Sequence, residues 1–173
     1  MTVYEFEQKK PNLGNSSFVH EKASIIGDVK IGEECFVGAG AVVRGDYGTI
    51  EIGDRTSIQE NSVIHARPDD KCSVGNDVQI GHGSILHNCS VKDYAVIGLG
   101  SCICDFATVG VWAIVGEGAV VSAKSDVPDG KVAVGVPAKV LRAVRQDEKD
   151  LWSSYKKKYV ELAKRYKAGL RAL

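Results

Sequence analysis

Residues 91–127 read VKDYAVIGLGSCICDFATVGVWAIVGEGAVVSAKSDV, and within them Val91, Ile97, Ile103, Val109, Val115, Val121 and Val127 recur at an unbroken spacing of six. Toward the N-terminus the same count runs through Ile25, Ile31, Val37 and Val43, then Ile52, Ile58 and Ile64, then Val74, Ile80 and Leu86. Glycine often follows at once, as in Ile31-Gly32, Ile80-Gly81, Ile97-Gly98 and Val115-Gly116. A period of six is neither the two of a strand nor the 3.6 of a helix. With small apolar residues and glycine it is the hexapeptide pattern of a parallel β-helix. Each hexad supplies a short strand and a turn, three hexads close one triangular coil, and inward residues stack one coil apart at ~4.8 Å.

Counting from Val19, the hexads make about six coils. The rhythm is stretched between Val43 and Ile52 and between Ile64 and Val74, which predicts surface loops at corners, built from GDYGT and RPDDKC. A shorter slip separates Leu86 from Val91. Loops at such breaks are where function concentrates. After residue 140 the spacing turns helical: Leu151, Tyr155, Tyr159, Leu162, Tyr166 and Leu170 form an apolar stripe. Asp147 and Asp150 suggest its N-cap region, and Lys164, Arg165 and Lys167 complement the dipole at its end. The reading is an all-β solenoid over 1–140 and an amphipathic helix over 141–173, packed along one face with its basic residues in solvent.

The chain of 173 residues carries 22 Lys and Arg against 22 Asp and Glu, so nothing global steers it to nucleic acid or an anionic membrane. Its apolar runs are too short to span a bilayer, and MTVYEFEQKKP lacks the features of a signal peptide. Five cysteines without a CxxC pair suit a reducing, cytoplasmic setting.

Against this background His65, His82 and His87 stand out as nitrogen donors for a transition metal. Place Ile52, Ile58 and Ile64 on faces one, two and three of a coil. Val74, Ile80 and Leu86 then occupy the same faces one coil above. His65 and His87 each follow the face-three residue, so they stack one coil apart, with Arg44 below them and Cys104 above. Cys104 reads as a packed cysteine, its alternative being a soft fourth ligand. His82 lies two residues past Ile80, above Gln59 and Glu60, and within one chain points away from that ladder. A homotrimer, in which face three of one chain meets face two of the next, would bring His82 of a neighbour to His65 and His87. His20, two coils below His82, is out of range and reads as structural. Three neutral nitrogens leave a coordination position for water, the pattern of a catalytic zinc site. Gln59 would orient water or substrate there, and Arg44 would pair with Asp46, and with Glu60 of the neighbour, at the interface.

The runs Arg44-Gly45-Asp46, IEIGDRTSIQENSVIH, IGHGSILHNC and GVPAKVLR resemble the gamma-class carbonic anhydrases and their homologues along essentially the whole chain. The resemblance implies a left-handed β-helix and a homotrimer. It makes His65, His82 and His87 the metal ligands, places Gln59 at the site, and puts Arg44, Asp46 and Glu60 in the interfacial salt bridges. The implied metal is zinc, with iron or cobalt as working substitutes. The implied activity is reversible hydration of carbon dioxide to bicarbonate by metal-bound hydroxide. The founding enzyme of the class carries a glutamate proton shuttle on an acidic loop, and GDYGTIEIGD has no comparable insertion. Ser57 and Glu60 replace the usual asparagine and aspartate around Ile-Gln. Tyr159 matches a tyrosine that reaches the site in short homologues, and reads either as packing or as a substitute polar group. Alternatives are an acyl-CoA thioesterase using the same metal, an acyl-CoA-dependent acyltransferase, and a non-catalytic trimeric scaffold.

Overall fold

A triangular coil leaves its inward position room only for small aliphatic side chains. The computed structural model, which describes residues 2–172, fills that position with the residues picked out by the six-residue count. Ile25, Val37, Val43, Ile58, Ile64, Ile80, Leu86, Ile103, Val109 and Val115 are wholly buried, and alanines such as Ala41, Ala95 and Ala113 are wholly buried with them. Each buried Val, Leu or Ile contributes roughly 1.5–3 kcal/mol relative to exposure. The repetition of this term from rung to rung holds a fold with no wide core.

The chain winds as a left-handed parallel β-helix of about seven turns with a single C-terminal helix. Face two is an eight-stranded sheet. It stacks Phe18–Val19, Phe36–Val37, Ser57–Ile58, Gln79–Ile80, Val96–Ile97, Ile114–Val115 and Lys131–Val134, and ends in the antiparallel strand Lys139–Ala143. Faces one and three form one twelve-stranded sheet, because Ser24–Ile31 and Val42–Ile52 run unbroken round the corner between them. Extra rungs beyond the six expected lie N-terminal to Val19, where Leu13 extends the six-residue count by one hexad. Thr2–Tyr4 pairs with Ser24–Ile26, and Asn12–Leu13 with Lys30–Ile31.

Corners need a left-handed residue. Between faces two and three this column is Gly40, Asn61, Gly83, Gly100 and Gly118, with φ of +60° to +71°. Asn61 is tolerated because a short polar side chain adopts this conformation more readily than most. Beside that corner, buried Ser62 and Ser84 hydroxyls donate to Gly81 and Gly98 carbonyls at 3.0 and 2.9 Å, so the buried hydroxyls do not go unpaired.

Both predicted loops are smaller than expected. GDYGT lies inside the strand Val42–Ile52, where the pairing slips between Gly27 and Val29 and absorbs the extra residues as a bulge. Of RPDDKC only residues 67–70, with Ala66 before them, leave the sheet. Lys71 and Cys72 pair with Thr49 and Ile50, and Cys72 is wholly buried.

The helix spans Gln146–Gly169 and packs on the lower strands of face two. Its cap is not Asp147 or Asp150. Arg145 occupies the N-cap, Glu148 accepts its backbone N–H at 2.9 Å, and Arg142 grips the same carboxylate with two bonds of 2.7 Å. That grip holds the Glu148 carboxyl down at about 2. The buried seam is also rotated from the one expected: Lys156 and Ala163 are buried, whereas Leu151, Tyr155 and Leu170 are exposed. Lys156 takes the seam because its stem is apolar. Its ammonium lies 4.4 Å from the centre of the Trp112 ring, which stacks on Tyr94, and donates to the Tyr94 carbonyl at 2.6 Å. Tyr159 and Tyr166 meet Phe36 below it, at ring centroids of 5.4 and 5.7 Å. Among the described residues no helix is long and apolar enough to cross a membrane.

Candidate metal centre

Strand register sets the first part of the site. Val63–His65 and Ile85–His87 pair in parallel with His65 opposite His87, and Arg44 lies opposite His65 one coil below. Alternation along each strand buries Ile64 and Leu86 and turns their histidine neighbours outward. His65 Nδ1 lies 3.2 Å from His87 Nε2. The remaining nitrogen of each ring meets a carboxylate. His65 Nε2 lies 3.1 Å from Asp46 Oδ1, and His87 Nδ1 is in direct contact with Asp105 Oδ1.

The carboxylates are themselves held. Asp46 accepts from Arg44, and Asp105 accepts from Arg67 Nη1 at 2.7 Å. Burial pushes the Asp46 carboxyl up, but the hydrogen bonds from Arg44 and His65 outweigh it and keep it below the usual value. His87 and then Arg67 hold Asp105 low in the same way. Both acids are therefore anionic acceptors at neutral pH, and each histidine facing one keeps its proton on that side.

His82 stands in the turn after Gln79–Ile80, at the corner of faces two and three rather than on the face itself. Its Nδ1 lies 2.6 Å from Glu60 Oε2, one coil below. Within the chain Glu60 is thus a partner of His82. Gln59 is buried, in a column where the coils below and above carry Gly38 and Gly81. Tyr159 packs its ring on Phe36, and burial, then the charge of Glu60, raise its phenol above the ordinary value.

The structure therefore gathers Arg44, Asp46, His65 and His87 in one place and Gln59, Glu60 and His82 in another, with Tyr159 packed on Phe36. Among the described residues of one chain, no three His, Cys, Asp or Glu side chains converge on a point suited to a metal. His20 accepts the Lys22 N–H at 3.0 Å and stands edge-on to Phe18, a local structural role. Cys104 is in line with His87 but turns its sulfur toward Cys102, 3.9 Å away. Counting along the column missed Asp105, Arg67 and Tyr47, whose ring is edge-on to His65 at 6.2 Å. Asp105 sits one residue past the counted position and reaches down diagonally. Arg67 sits in a loop that has no six-residue register.

Residues 10–45 match the six-repeat bacterial transferase hexapeptide family. The carbonic anhydrase of Geobacillus kaustophilus is 37% identical over 96% of this chain and 91% of its own length. The carnitine operon protein CaiE of Salmonella agona is 36% identical over 98% and 86%. Gamma carbonic anhydrase 2, mitochondrial, of Arabidopsis thaliana is 33% identical over 94% of this chain, which spans only 60% of that relative. A Bacillus cereus structure described as a candidate acetyltransferase superposes with a TM-score of 0.95, at 36% identity and covering 96% and 97% of the two chains. With these likenesses along nearly the whole of this chain beside the hexapeptide coil, the chain belongs to the gamma-class carbonic anhydrase family.

Proposed function

We propose that this chain catalyses the reversible hydration of carbon dioxide to bicarbonate at a zinc site completed between the subunits of a homotrimer. One observation carries the reading. His65 Nδ1 and His87 Nε2 face each other at 3.2 Å while the far nitrogen of each ring meets a carboxylate, so neutral rings that donate to Asp46 and Asp105 would turn two lone pairs toward one shared cation. Two nitrogens bound tetrahedrally to one zinc at ~2.1 Å stand ~3.4 Å apart, so the pair fits the ion. His82, held by Glu60 through Nδ1, has Nε2 free as the third donor. Iron or cobalt suits the same nitrogens.

A third donor on another corner requires a second chain. Face three offers that chain a place to dock. Val42, Val63, Ile85, Cys102 and Val120 form an outward apolar column, one per coil, two residues along the strands from the Arg44, His65 and His87 column. Ile85 is 46% exposed in the single chain. Each of three equivalent sites would hold His65 and His87 of one chain and His82 of the next.

Bound zinc supplies the Lewis acidity that lets a water give up its proton near neutral pH. The protein's part is positional. Asp46, Glu60 and Asp105 fix the three rings, Arg44 holds Asp46, and Gln59 flanks the His82 half-site, where it orients the substrate. Stopped-flow carbon dioxide hydration by the zinc-loaded protein is expected to exceed the buffer rate and to fall to it in His87→Ala, with loss of bound zinc. Equal background rates for both proteins would sink the reading. The likeness to CaiE supports a second reading, metal-dependent hydrolysis of an acyl-CoA thioester by the same donors. A panel of acyl-CoA substrates showing no metal-dependent release removes it.

A further inference from the structure

Resting on the metal site proposed above, we infer that Asp105, braced by Arg67, is the positioning residue of His87, and that the 66–70 insertion is built to place Arg67. Both oxygens of Asp105 are committed: Oδ1 to His87 Nδ1 and Oδ2 to Arg67 Nη1 at 2.7 Å. The carboxylate can rotate away only by breaking both contacts. With the Nδ1 proton held, the His87 lone pair stays on Nε2, the nitrogen that faces His65.

The insertion is tied to the same histidine from behind. Asn88, next in sequence to His87, accepts the Arg67 backbone N–H at 3.0 Å and donates to Asp70 Oδ2 at 3.0 Å. Asp70 in turn accepts the Lys71 N–H at 2.9 Å, where the chain re-enters the sheet. Asn88 thus pins both ends of the loop, and Arg67 is left to cross to Asp105 with its guanidinium over Phe106, 5.9 Å from the ring centre. A turn that only closed the coil would need none of these bonds, since other corners turn without an added residue.

The first insertion works in parallel. There the added residues bring Asp46, and the brace, Arg44, comes from the regular coil. In the second, the coil brings Asp105 and the insertion brings the brace. Each of the two insertions therefore completes one Arg–Asp–His chain, on His65 in one case and His87 in the other.

The test uses the trimer labelled with 15N-histidine, in Asp105→Ala, Asp105→Asn and Arg67→Ala variants. Zinc affinity is read by competition with a chromophoric chelator, and the His87 tautomer of the metal-free protein by imidazole 15N shifts. Asp105→Ala is expected to weaken zinc binding by roughly 10–100-fold and to release His87 from the Nδ1-protonated form. Asp105→Asn, which keeps an acceptor oxygen, is expected to restore part of both, and Arg67→Ala to show a smaller loss in the same direction. If Asp105→Ala fails to fold, the other two variants decide. Wild-type affinity and an unchanged His87 tautomer in the variants would overturn the inference. Failure of the wild-type protein to bind zinc would instead overturn the functional reading, and the tautomer measurement then decides the Asp105–His87 pairing alone.

Discussion

Gly45 stands between Arg44 and Asp46, where the strand begins to turn from face three to face one. A methyl group on it would lie 2.4 Å from the Asp28 carbonyl oxygen, which is backbone and cannot swing aside. Gly27, paired with it one coil below, adopts φ of +75°, and there too a side chain would strike backbone. Gly45→Ala is therefore expected to cost ~1–3 kcal/mol, the usual range for overpacking, and to shift Asp46 off His65. Urea unfolding reads the first effect and zinc affinity the second, and an unchanged midpoint would show that the corner yields freely. At this scale the sequence was legible wherever register alone fixed a residue. His65 and His87 are opposite each other because the count places Ile64 and Leu86 inward on successive coils. Asp105 was not legible, because a side chain's diagonal reach depends on its rotamer, and a repeat count carries no information about rotamers.

Lys156 shows what element-level periodicity could not reveal. The apolar spacing placed a helix at this end of the chain, but over 141–173 rather than the observed Gln146–Gly169, since Lys139–Ala143 is still a strand, and it gave the wrong seam because it counted lysine as polar throughout. In the folded chain the methylenes are covered and only the ammonium is satisfied, by the Tyr94 carbonyl and the Trp112 ring. Burial pushes the amine down to about 8 from its ordinary 10.5. Between those values the unfolded chain binds more protons than the folded one, so stability at this site rises with pH across the window. Below about 8 both states hold the proton, and the slope disappears. Lys156→Met removes the titrating group. Melting temperatures compared from about pH 7 to about pH 10 are expected to show the wild-type protein gaining on the variant above pH 8. A constant difference would mean that burial does not penalise the ammonium.

The whole molecule divides its chemistry between two places that one chain cannot join, and this was also implicit in the count, since hexads on different faces point apart. The count did not show how face three receives a neighbour, which depends on the outward apolar column from Val42 to Val120 rather than on the inward one. Ile85→Glu places a charge in the middle of that column, on a side chain already exposed in the single chain. It is expected to leave the coil folded and to give monomers by sedimentation, with zinc affinity lost along with the trimer. A trimer that persists would place the contact elsewhere. A stack of parallel rungs has no length of its own, because every rung offers the next the same hydrogen bonds it received. Here the chain closes its upper end. Lys139–Ala143 turns back antiparallel on Lys131–Val134, the Gly135 carbonyl takes the Val120 N–H, and Ala138 donates to the Val120 carbonyl. On face two the parallel stack therefore ends at Lys131–Val134, and a second molecule approaching that end meets a strand that runs the wrong way rather than one more parallel rung.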